Sequence, residues 1–220
     1  MITEERLSTF IDSFETPLPE YLSELSKFAI ETNVPIIRPQ MQSLLKFLMR
    51  MNKPMRILEV GCAIGFSALL MAEYSPEGSR ITTIEKYEPR IPIALENFRK
   101  GSERFKEAGR DKDIQLLEGD ATEILKELEG PYDLIFMDAA KGQYINFLPD
   151  IKRLLVPGGL LVSDNVLQDG DVVKSRFAVV RRDRTIHKRM REYLFALTHD
   201  EDFTTVILPS GDGVTLSYYR

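Results

Sequence analysis

Tyr132-Asp-Leu-Ile-Phe-Met-Asp138-Ala-Ala-Lys141 and Gly158-Gly-Leu-Leu-Val-Ser-Asp164-Asn165 are two short apolar runs that each stop at acid or amide oxygens. Runs of this kind are typical of strands buried on both faces of a parallel sheet. Side chains at the carboxyl ends of such strands point into the ligand crevice. We therefore predict a parallel α/β sheet at whose carboxyl edge Asp138, Asp164 and Asn165 converge.

These three side chains are candidate metal ligands. Carboxylate and amide oxygens suit Mg²⁺ or a similar hard cation that keeps water in its remaining positions. The alternative is that an acid after a strand only caps the next helix, which is common. Two acids on neighbouring strands, with Lys141 beside one of them, favour the metal site over capping.

Strands and helices alternate outward from these two runs. The predicted strands are Arg56–Val60, Arg80–Glu85, Ile114–Glu118, Tyr132–Asp138 and Leu160–Ser163, and the helices between them are Ser67–Tyr74, Pro89–Ala108, Thr122–Glu129 and Tyr144–Leu155. This alternation predicts a parallel sheet covered by helices on both faces. Pro157-Gly158-Gly159 predicts a turn before the fifth strand.

The two ends of the chain have a different pattern. A basic helix over Arg181–Thr198 precedes two strands, Phe203–Leu208 and Val214–Tyr218, whose short Gly/Asp loop predicts an antiparallel hairpin. The first 50 residues predict three helices, Glu4–Phe14, Glu20–Thr32 and Pro39–Arg50, by their apolar spacing. We expect a doubly wound seven-stranded domain over 51–220 and an N-terminal helical extension over 1–50 packed on it.

Composition narrows the class of protein. The chain has 220 residues, 43% hydrophobic and 29% charged, which is typical of a globular domain rather than of a disordered chain. Cys62 is the single cysteine, so an internal disulfide is impossible and a reducing, cytoplasmic location is expected. The N-terminus lacks a signal-peptide pattern and no apolar run has membrane-spanning length, so we expect no membrane association. The net charge of −5 argues against a general nucleic-acid binder.

A glycine-rich turn follows the first strand in Ile57-Leu-Glu59-Val-Gly61-Cys-Ala-Ile-Gly65-Phe-Ser67. Gly61 and Gly65 permit tight turning and close approach of a ligand, and the helix after them offers unpaired N–H groups. The spacing is not the G-x-G-x-x-G of dinucleotide sites. Glu59 would repel a phosphate in this turn and attract an ammonium group, which disfavours an oxidoreductase.

The next two strand ends extend this candidate site. Glu85 ends the second strand, where a carboxylate can accept hydrogen bonds from both hydroxyls of a ribose. Asp120 and Ala121 follow the third strand, in position to meet an adenine edge. An amine, a ribose and an adenine without phosphates describe S-adenosylmethionine. The alternative for Glu85 is an exposed acid at a strand end.

Several stretches resemble the cation-dependent O-methyltransferases of the catechol and caffeoyl-coenzyme A type. The resemblance covers roughly residues 36–219 and is carried by Ile57–Ser67, Thr83–Glu85, Gly119–Ala121, Phe136–Lys141 and Ser163–Val166. Arg38-Pro-Gln40, Asp138–Tyr144, Asp164–Leu167 with Gly170, and Leu208–Gly213 further resemble the bacterial branch that methylates 5-hydroxyuridine at the tRNA wobble position. The resemblance implies a Rossmann-like class I methyltransferase fold, S-adenosylmethionine, Mg²⁺ and a homodimer.

The resemblance also implies residue roles, position by position. The metal ligands would be Asp138, Asp164 and Asn165, and the catalytic base would be Lys141. The cofactor contacts would be Glu59, Gly61, Gly65, Ser67, Glu85, Asp120, Ala121 and Asp138. Small Ala139 and Ala140, in a chain without tryptophan, depart from the catechol enzymes, which have bulky aromatics around the acceptor.

Two acceptors fit the same chemistry, because both catechol and 5-hydroxyuridine carry two adjacent oxygens that can chelate a cation. Residues 174–191 hold eight Lys or Arg against one acid and would attract the phosphates of RNA. Candidate RNA contacts are Arg181, Arg182, Arg184, Lys188 and Arg189. The alternatives are a solvated helix face or pairing with acids across a dimer seam. On this helix we expect Leu194 and Phe195 to pack inward and His187 and His199 to lie on the surface.

Overall fold

Seven strands form one mixed sheet in the computed structural model, which describes residues 5–220. They are β1 (Arg56–Val60), β2 (Arg80–Glu85), β3 (Asp113–Glu118), β4 (Tyr132–Met137), β5 (Leu155–Ser163), β6 (Phe203–Leu208) and β7 (Val214–Tyr219), in the order β3-β2-β1-β4-β5-β7-β6. The first five strands pair in parallel, and β7 lies antiparallel between β5 and β6. The predicted fold class and the C-terminal hairpin are confirmed.

Eight α-helices are described, namely α1 (Glu5–Asp12), α2 (Glu20–Glu31), α3 (Pro39–Asn52), α4 (Phe66–Tyr74), α5 (Ile91–Glu107), α6 (Ala121–Glu127), α7 (Tyr144–Leu154) and α8 (Arg184–His199). Short 3₁₀ turns precede α7 and α8 at Lys141–Gln143 and Arg181–Asp183, and another covers Gln168–Val173. The predicted start of the first helix at Glu4 lies outside the described residues. Within residues 5–220, no helix has the length and apolarity needed to cross a bilayer.

The two faces of the sheet are covered by different helices, and strand alternation explains how. Along β4, Leu134 and Phe136 pack with α2, α3, α4 and α5, whereas Ile135 and Met137 pack with α6, α7 and α8. Because successive strand side chains point to opposite faces, every core position of β4 is buried. The helices at the N-terminal end thus share a core with the sheet.

One boundary prediction is wrong. Pro157-Gly158-Gly159 lies inside β5 rather than in a turn before it, since Leu155 already pairs with Tyr132 of β4. The register shifts before Leu160 pairs with Leu134, and this irregularity absorbs the proline together with Gly158 at φ +85°. Pro and Gly at a bulge of this kind do not end the strand.

Strand order reverses between β1 and β4, because the chain first moves to β2 and β3 and then returns past β1. The crevice outside the carboxyl ends of the strands at such a switch point is where ligands bind in open α/β sheets. Both apolar runs quoted at the outset end at this edge of the sheet.

Candidate active site

A cavity of about 590 Å³ opens at the carboxyl edge of the sheet. Of the predicted site residues, it is lined by Gly61, Ser67, Glu85, Asp120, Ala121, Asp138, Lys141, Asp164 and Asn165. The strand ends predicted to converge are therefore brought together around one space. Glu59 and Gly65 do not form its wall, and their positions are described below.

Backbone geometry requires glycine in the turn after β1. Gly61 has φ +92°, and a Cβ there would collide with the backbone carbonyl of Asp138 at the end of β4. The turn can therefore pass directly beside the neighbouring strand end. Gly65, at φ +86°, starts α4, and a Cβ on it would collide with the Phe98 ring of α5. Gly65 thus serves close packing behind the turn, while Ser67 faces the cavity.

Glu59 is fully buried beneath this turn. Its Oε2 accepts a hydrogen bond from Thr83 Oγ1 at 2.5 Å, and its Oε1 is buried without a partner. Burial raises the pKa of Glu59 to about 7, although hydrogen bonds from Ser67 and Thr83 oppose the rise. Glu59 therefore supports the turn from below, and the direct contact with an ammonium group expected from the sequence is not provided by the cavity wall.

Glu85 is held firmly at the end of β2. One oxygen accepts from the backbone N–H groups of Lys86 and Tyr87 at 3.0 and 2.8 Å, and the other accepts from Ala63 N at 2.8 Å. The carboxylate thus links β2 to the glycine-rich turn, and it is only 8% exposed. The alternative of an exposed acid at a strand end is wrong. A carboxylate fixed in this way has defined lone pairs left to face a diol in the cavity.

Asp120 caps the N-terminus of α6 and also lines the cavity. Its Oδ1 accepts from Thr122 N at 2.8 Å at the start of α6, and Lys86 Nζ lies 3.3 Å from Oδ2. The backbone hydrogen bond from Thr122 is the main cause that lowers the pKa of Asp120. The alternative that an acid after a strand caps the next helix therefore applies to Asp120, which follows β3. Ala121, the next residue, also lines the cavity.

At the ends of β4 and β5, the candidate metal ligands form a connected set. Asn165 Nδ2 donates to Asp138 Oδ1 at 3.3 Å, and Lys141 Nζ donates to Asn165 Oδ1 at 3.1 Å. Asp164 Oδ1 accepts from the backbone N–H of Asn165 at 2.7 Å. Asn165 itself has φ +61°, a conformation that asparagine tolerates better than most residues.

Both aspartates of this set line the cavity, with Asp164 buried and Asp138 half-buried. Burial raises the pKa of Asp138 to about 6, and Lys141 opposes that rise. Burial, followed by the charge of Asp138, raises the pKa of Asp164 to about 7. Carboxylates whose pKa values are raised in this way are stabilised as anions by a nearby cation.

A divalent cation fits this set of donors. Within residues 5–220, no group of three or more His, Cys, Asp or Glu side chains could hold a metal ion. Two carboxylates with one amide oxygen are instead a hard-oxygen set that leaves room for water or substrate oxygens, as Mg²⁺ requires. Asp138, Asp164 and Asn165 are the residues that would hold it.

Tyr144 supports these ligands from beneath and was not singled out by sequence reasoning. Its side chain is fully buried, and its hydroxyl lies 3.1 Å from both the Met137 and the Asp164 carbonyl oxygens. It thus contacts the backbone of β4 and of β5 where the ligands begin. The Tyr193 ring packs edge-on against it at 5.4 Å, and the Tyr193 hydroxyl bonds Ser163 Oγ at 2.6 Å.

The residues predicted to contact RNA divide into two groups. Arg181, Arg182 and Lys188 are exposed, with the Arg182 side chain 85% accessible. Arg189 instead donates to the Gly142 carbonyl oxygen at 3.0 Å, and Arg184 donates to Val179 O and Phe177 O at 3.2 and 3.4 Å. Arg189 therefore ties α8 to the turn that carries Lys141.

Two expectations for the basic helix are wrong. His187 is buried, with Nε2 3.1 Å from the Lys174 carbonyl oxygen, because α8 turns that position toward the segment before it. Phe195 is 63% exposed and stacks on His199 at 3.9 Å instead of packing inward, whereas Leu194 is buried as predicted. Adjacent helical positions face different directions, so only one of this pair could enter the core.

An ion pair at the cavity mouth also joins distant segments. Arg38, before α3, lies 2.8 Å from the buried Asp212 of the β6–β7 loop and 3.5 Å from Asp169. Both Arg38 and Asp212 line the cavity. Both residues lie in motifs singled out in the sequence, Arg38-Pro-Gln40 and Leu208–Gly213. No spacing rule predicts that these two motifs contact each other.

Comparisons with known proteins agree with this geometry. The O-methyltransferase family model matches residues 12–219. Caffeoyl-CoA O-methyltransferase 2 of Populus trichocarpa is 30% identical over 207 residues, 90% of this chain and 81% of that protein. The catechol O-methyltransferase of Niastella koreensis is 34% identical over 142 residues, 62% of this chain and 61% of that protein.

Two solved structures are similar over nearly the whole chain. A candidate caffeoyl-CoA O-methyltransferase from Staphylococcus aureus has a TM-score of 0.85 at 30% identity, covering 98% of this chain and 100% of its own. A Podospora anserina methyltransferase with SAH bound has a TM-score of 0.83 at 28% identity, covering 98% and 94%.

Proposed function

The chain belongs to the O-methyltransferase family, and from that premise we propose that it methylates 5-hydroxyuridine at the wobble position of tRNA. The methyl donor is S-adenosylmethionine, the cation is Mg²⁺ or a similar divalent ion, and the product is 5-methoxyuridine. The protein acts as a cytoplasmic homodimer. The observation that carries the catalytic part of the proposal is the connected set of Asp138, Asn165, Asp164 and Lys141 at one end of the cavity.

The donor half of the cavity suits S-adenosylmethionine. Gly61 keeps the turn after β1 free of side-chain bulk, and Ser67 faces the cavity from the start of α4. Glu85 offers a fixed carboxylate for the two ribose hydroxyls, and Asp120 and Ala121 border the space left for adenine. A methyltransferase of Podospora anserina with 28% identity binds SAH in the same fold.

The acceptor half has the chemistry of oxygen activation. Asp138, Asp164 and Asn165 would hold a divalent cation, which would lower the pKa of an acceptor hydroxyl and fix its orientation. Lys141 Nζ, 3.1 Å from Asn165 Oδ1, is the base that accepts the hydroxyl proton. The acceptor oxygen then forms a bond to the methyl carbon as the methyl–sulfur bond breaks. Holding both reactants in line contributes up to about 7–11 kcal/mol of barrier lowering.

The preference for tRNA is supported by charge. Arg181, Arg182 and Lys188 are exposed on and just before α8, the helix that Arg189 ties to the turn carrying Lys141, in a protein whose net charge is −5. A local cationic surface on an acidic protein attracts phosphates without making the whole molecule a general nucleic-acid binder. A wobble base is already unpaired in its loop and needs little energy to enter a cavity.

A small catechol-like acceptor is the second candidate. Similar proteins from Populus trichocarpa and Niastella koreensis are a caffeoyl-CoA and a catechol O-methyltransferase. Ala139 in the cavity wall and the absence of tryptophan argue against a slab-shaped pocket lined by large aromatics. Catechol offers the same oxygen pair, so the choice between the two needs a direct competition.

The experiment supplies S-adenosylmethionine and Mg²⁺ to the purified protein with hypomodified tRNA that contains 5-hydroxyuridine, with catechol, and with caffeoyl-CoA. Mass spectrometry of the digested tRNA should detect 5-methoxyuridine, and Asp164→Ala should reduce its formation at least ~10³-fold because one ligand of the cation is lost. Asp113→Ala, at an exposed carboxylate where β3 begins, is the matched control. Efficient methylation of the phenols with none of the tRNA would reject the tRNA proposal and retain the alternative.

A further inference from the structure

The segment between β5 and α8 displays apolar side chains to solvent beside its arginines. Phe177 is 85% exposed, Val173 80% and Val180 63%. Exposed single apolar residues are ordinary, but a large aromatic so fully exposed among cations is a recognised feature of nucleic-acid surfaces. We propose that Phe177 is a stacking platform for an unpaired base next to the nucleotide that is methylated. This inference rests on the proposed tRNA substrate.

The backbone of this segment is fastened to α8, so the position of Phe177 is defined. Arg184 donates to the Phe177 and Val179 carbonyl oxygens, and His187 Nε2 lies 3.1 Å from Lys174 O. Arg191 donates to Val172 O at 3.0 Å. These contacts use carbonyl groups and leave the Phe177 ring accessible, as a preformed platform requires.

The charge around the ring fits a phosphodiester chain. The Arg184 guanidinium lies 5.9 Å from the Phe177 ring centre, and Arg181 and Arg182 are exposed a few residues further on. Stacking of one base on an aromatic side chain contributes about 1–3 kcal/mol, and nearby arginines add contacts to phosphates. Single-stranded loops are the RNA elements whose bases are free to stack in this way.

Helix α8 holds both the Phe177 segment and the turn that carries Lys141. Arg184 holds the Phe177 carbonyl, and Arg189, five residues along α8, holds the Gly142 carbonyl next to Lys141. Because one helix holds both segments, we place the stacked base in the same RNA loop as the base in the cavity.

Charge also argues against a second copy of the chain as the occupant. Residues 174–191 contain eight cationic residues and one acid, Asp183. A two-fold interface whose axis crosses this surface would bring like charges together, which is unfavourable. An RNA loop supplies the opposite charge and the planar bases at once.

The test uses an anticodon stem-loop RNA with 2-aminopurine beside the wobble position, bound to the full-length protein. We expect the wild-type protein to quench the fluorophore by stacking, and Phe177→Ala to abolish the quenching and weaken binding about 5- to 100-fold. Phe177→Trp should restore both. Phe195→Ala, a similarly exposed aromatic at the other end of α8, is the control and should bind like the wild type.

Circular dichroism and binding of S-adenosylhomocysteine check that each variant is folded. Unchanged RNA binding by Phe177→Ala, in a protein that does methylate tRNA, overturns the stacking role and leaves the proposed function standing. A wild-type protein that neither binds nor methylates tRNA overturns both. Loss of a dimer by Phe177→Ala in light scattering, or weaker binding of caffeoyl-CoA with RNA binding unchanged, assigns the ring to a different partner and overturns the inference.

Discussion

The ends of β4 and β5 and the basic segment at 174–191 are both charged, but they use charge in opposite ways. At the strand ends, Asp164 is buried and Asp138 is half-buried, and burial raises the pKa values of both. In the basic segment, Arg181 and Arg182 are exposed to solvent. The first region therefore holds charge that is unfavourable without a counter-ion, and the second holds charge that water already stabilises.

The difference separates catalysis from attraction. Buried, connected groups act on one atom at one place, since their positions are set by Tyr144 below and Asn165 between them. Exposed arginines act over a Debye length of about 8–10 Å and are screened by salt. Arg189 lies in the basic segment but acts like the groups at the strand ends, because it donates to the carbonyl beside Lys141.

The largest expected effect that sharpens this comparison is on the pH dependence of folding stability. This dependence should arise from buried carboxyl groups rather than from the exposed arginines. Glu59 has a pKa of about 7 in the folded protein against a reference value of 4.5. Between these values the folded protein keeps a proton that the unfolded chain has lost, so its stability falls as pH rises through this window. Glu59→Gln removes this dependence, and its stability relative to wild type should increase by up to about 3 kcal/mol between pH 4 and pH 8.

Urea denaturation at intervals across this range, with EDTA present, measures the change. Glu127→Gln on the exposed surface of α6 is the control and should track the wild type at every pH. A difference between Glu59→Gln and wild type that does not vary with pH would show that the buried carboxyl has an ordinary pKa.

The next effect concerns the support of the metal ligands. Tyr144→Phe and Tyr193→Phe each remove one buried hydroxyl from packed rings, but only Tyr144 contacts the backbone at both ligand strands. We expect Tyr144→Phe to weaken Mn²⁺ or Mg²⁺ binding about 10- to 100-fold, as loss of support for metal ligands does. Tyr193→Phe should leave cation affinity within about twofold, while both variants lose about 1 kcal/mol of stability.

Isothermal titration of the two variants with the cation, without methyl donor or acceptor, separates affinity from turnover. Equal losses of affinity in both variants would mean that general softening of the core, rather than the contact at the strand ends, controls the site.

The smallest effect compares two arginines of the basic region. Arg189→Gln should lower kcat about tenfold on any acceptor, because it releases the turn that carries Lys141. Arg182→Gln should leave kcat unchanged, raise KM for tRNA a few-fold, and reduce the salt slope of binding by about 1. Steady-state kinetics at several salt concentrations distinguish these outcomes. If Arg189→Gln changed only KM for tRNA, Arg189 would be an RNA contact and not a support for the Lys141 turn.

The local pattern of apolar and polar residues was sufficient to predict most of the fold. The alternation of apolar strands with helices predicted the sheet and its hairpin, because strands buried on both faces are apolar throughout. It failed at Pro157-Gly158-Gly159, where a bulge in β5 accommodates residues that usually end strands. It also failed for His187 and Phe195, whose burial depends on what α8 packs against.

The chemistry of the site was also present locally, since acids at strand ends can be read directly from the chain. The sequence did not predict the contacts that support these site residues from behind. Tyr144 is separated from Asp164 by 20 residues and Arg189 from Gly142 by 47, and no motif spacing connects either pair. Arg38 and Asp212 meet only because the start of α3 and the β6–β7 loop both border the cavity.

By itself, the sequence determined the strands, their acidic ends and the glycines that let a turn pass beside Asp138, because these depend on side-chain polarity and backbone freedom at single positions. Only the tertiary structure decided that Glu59 lies under the turn rather than in the cavity wall, that Arg189 holds the turn that carries Lys141, and that Phe177 faces solvent. Those outcomes depend on which elements meet in space, and burial is a property of the neighbours that packing brings to a residue.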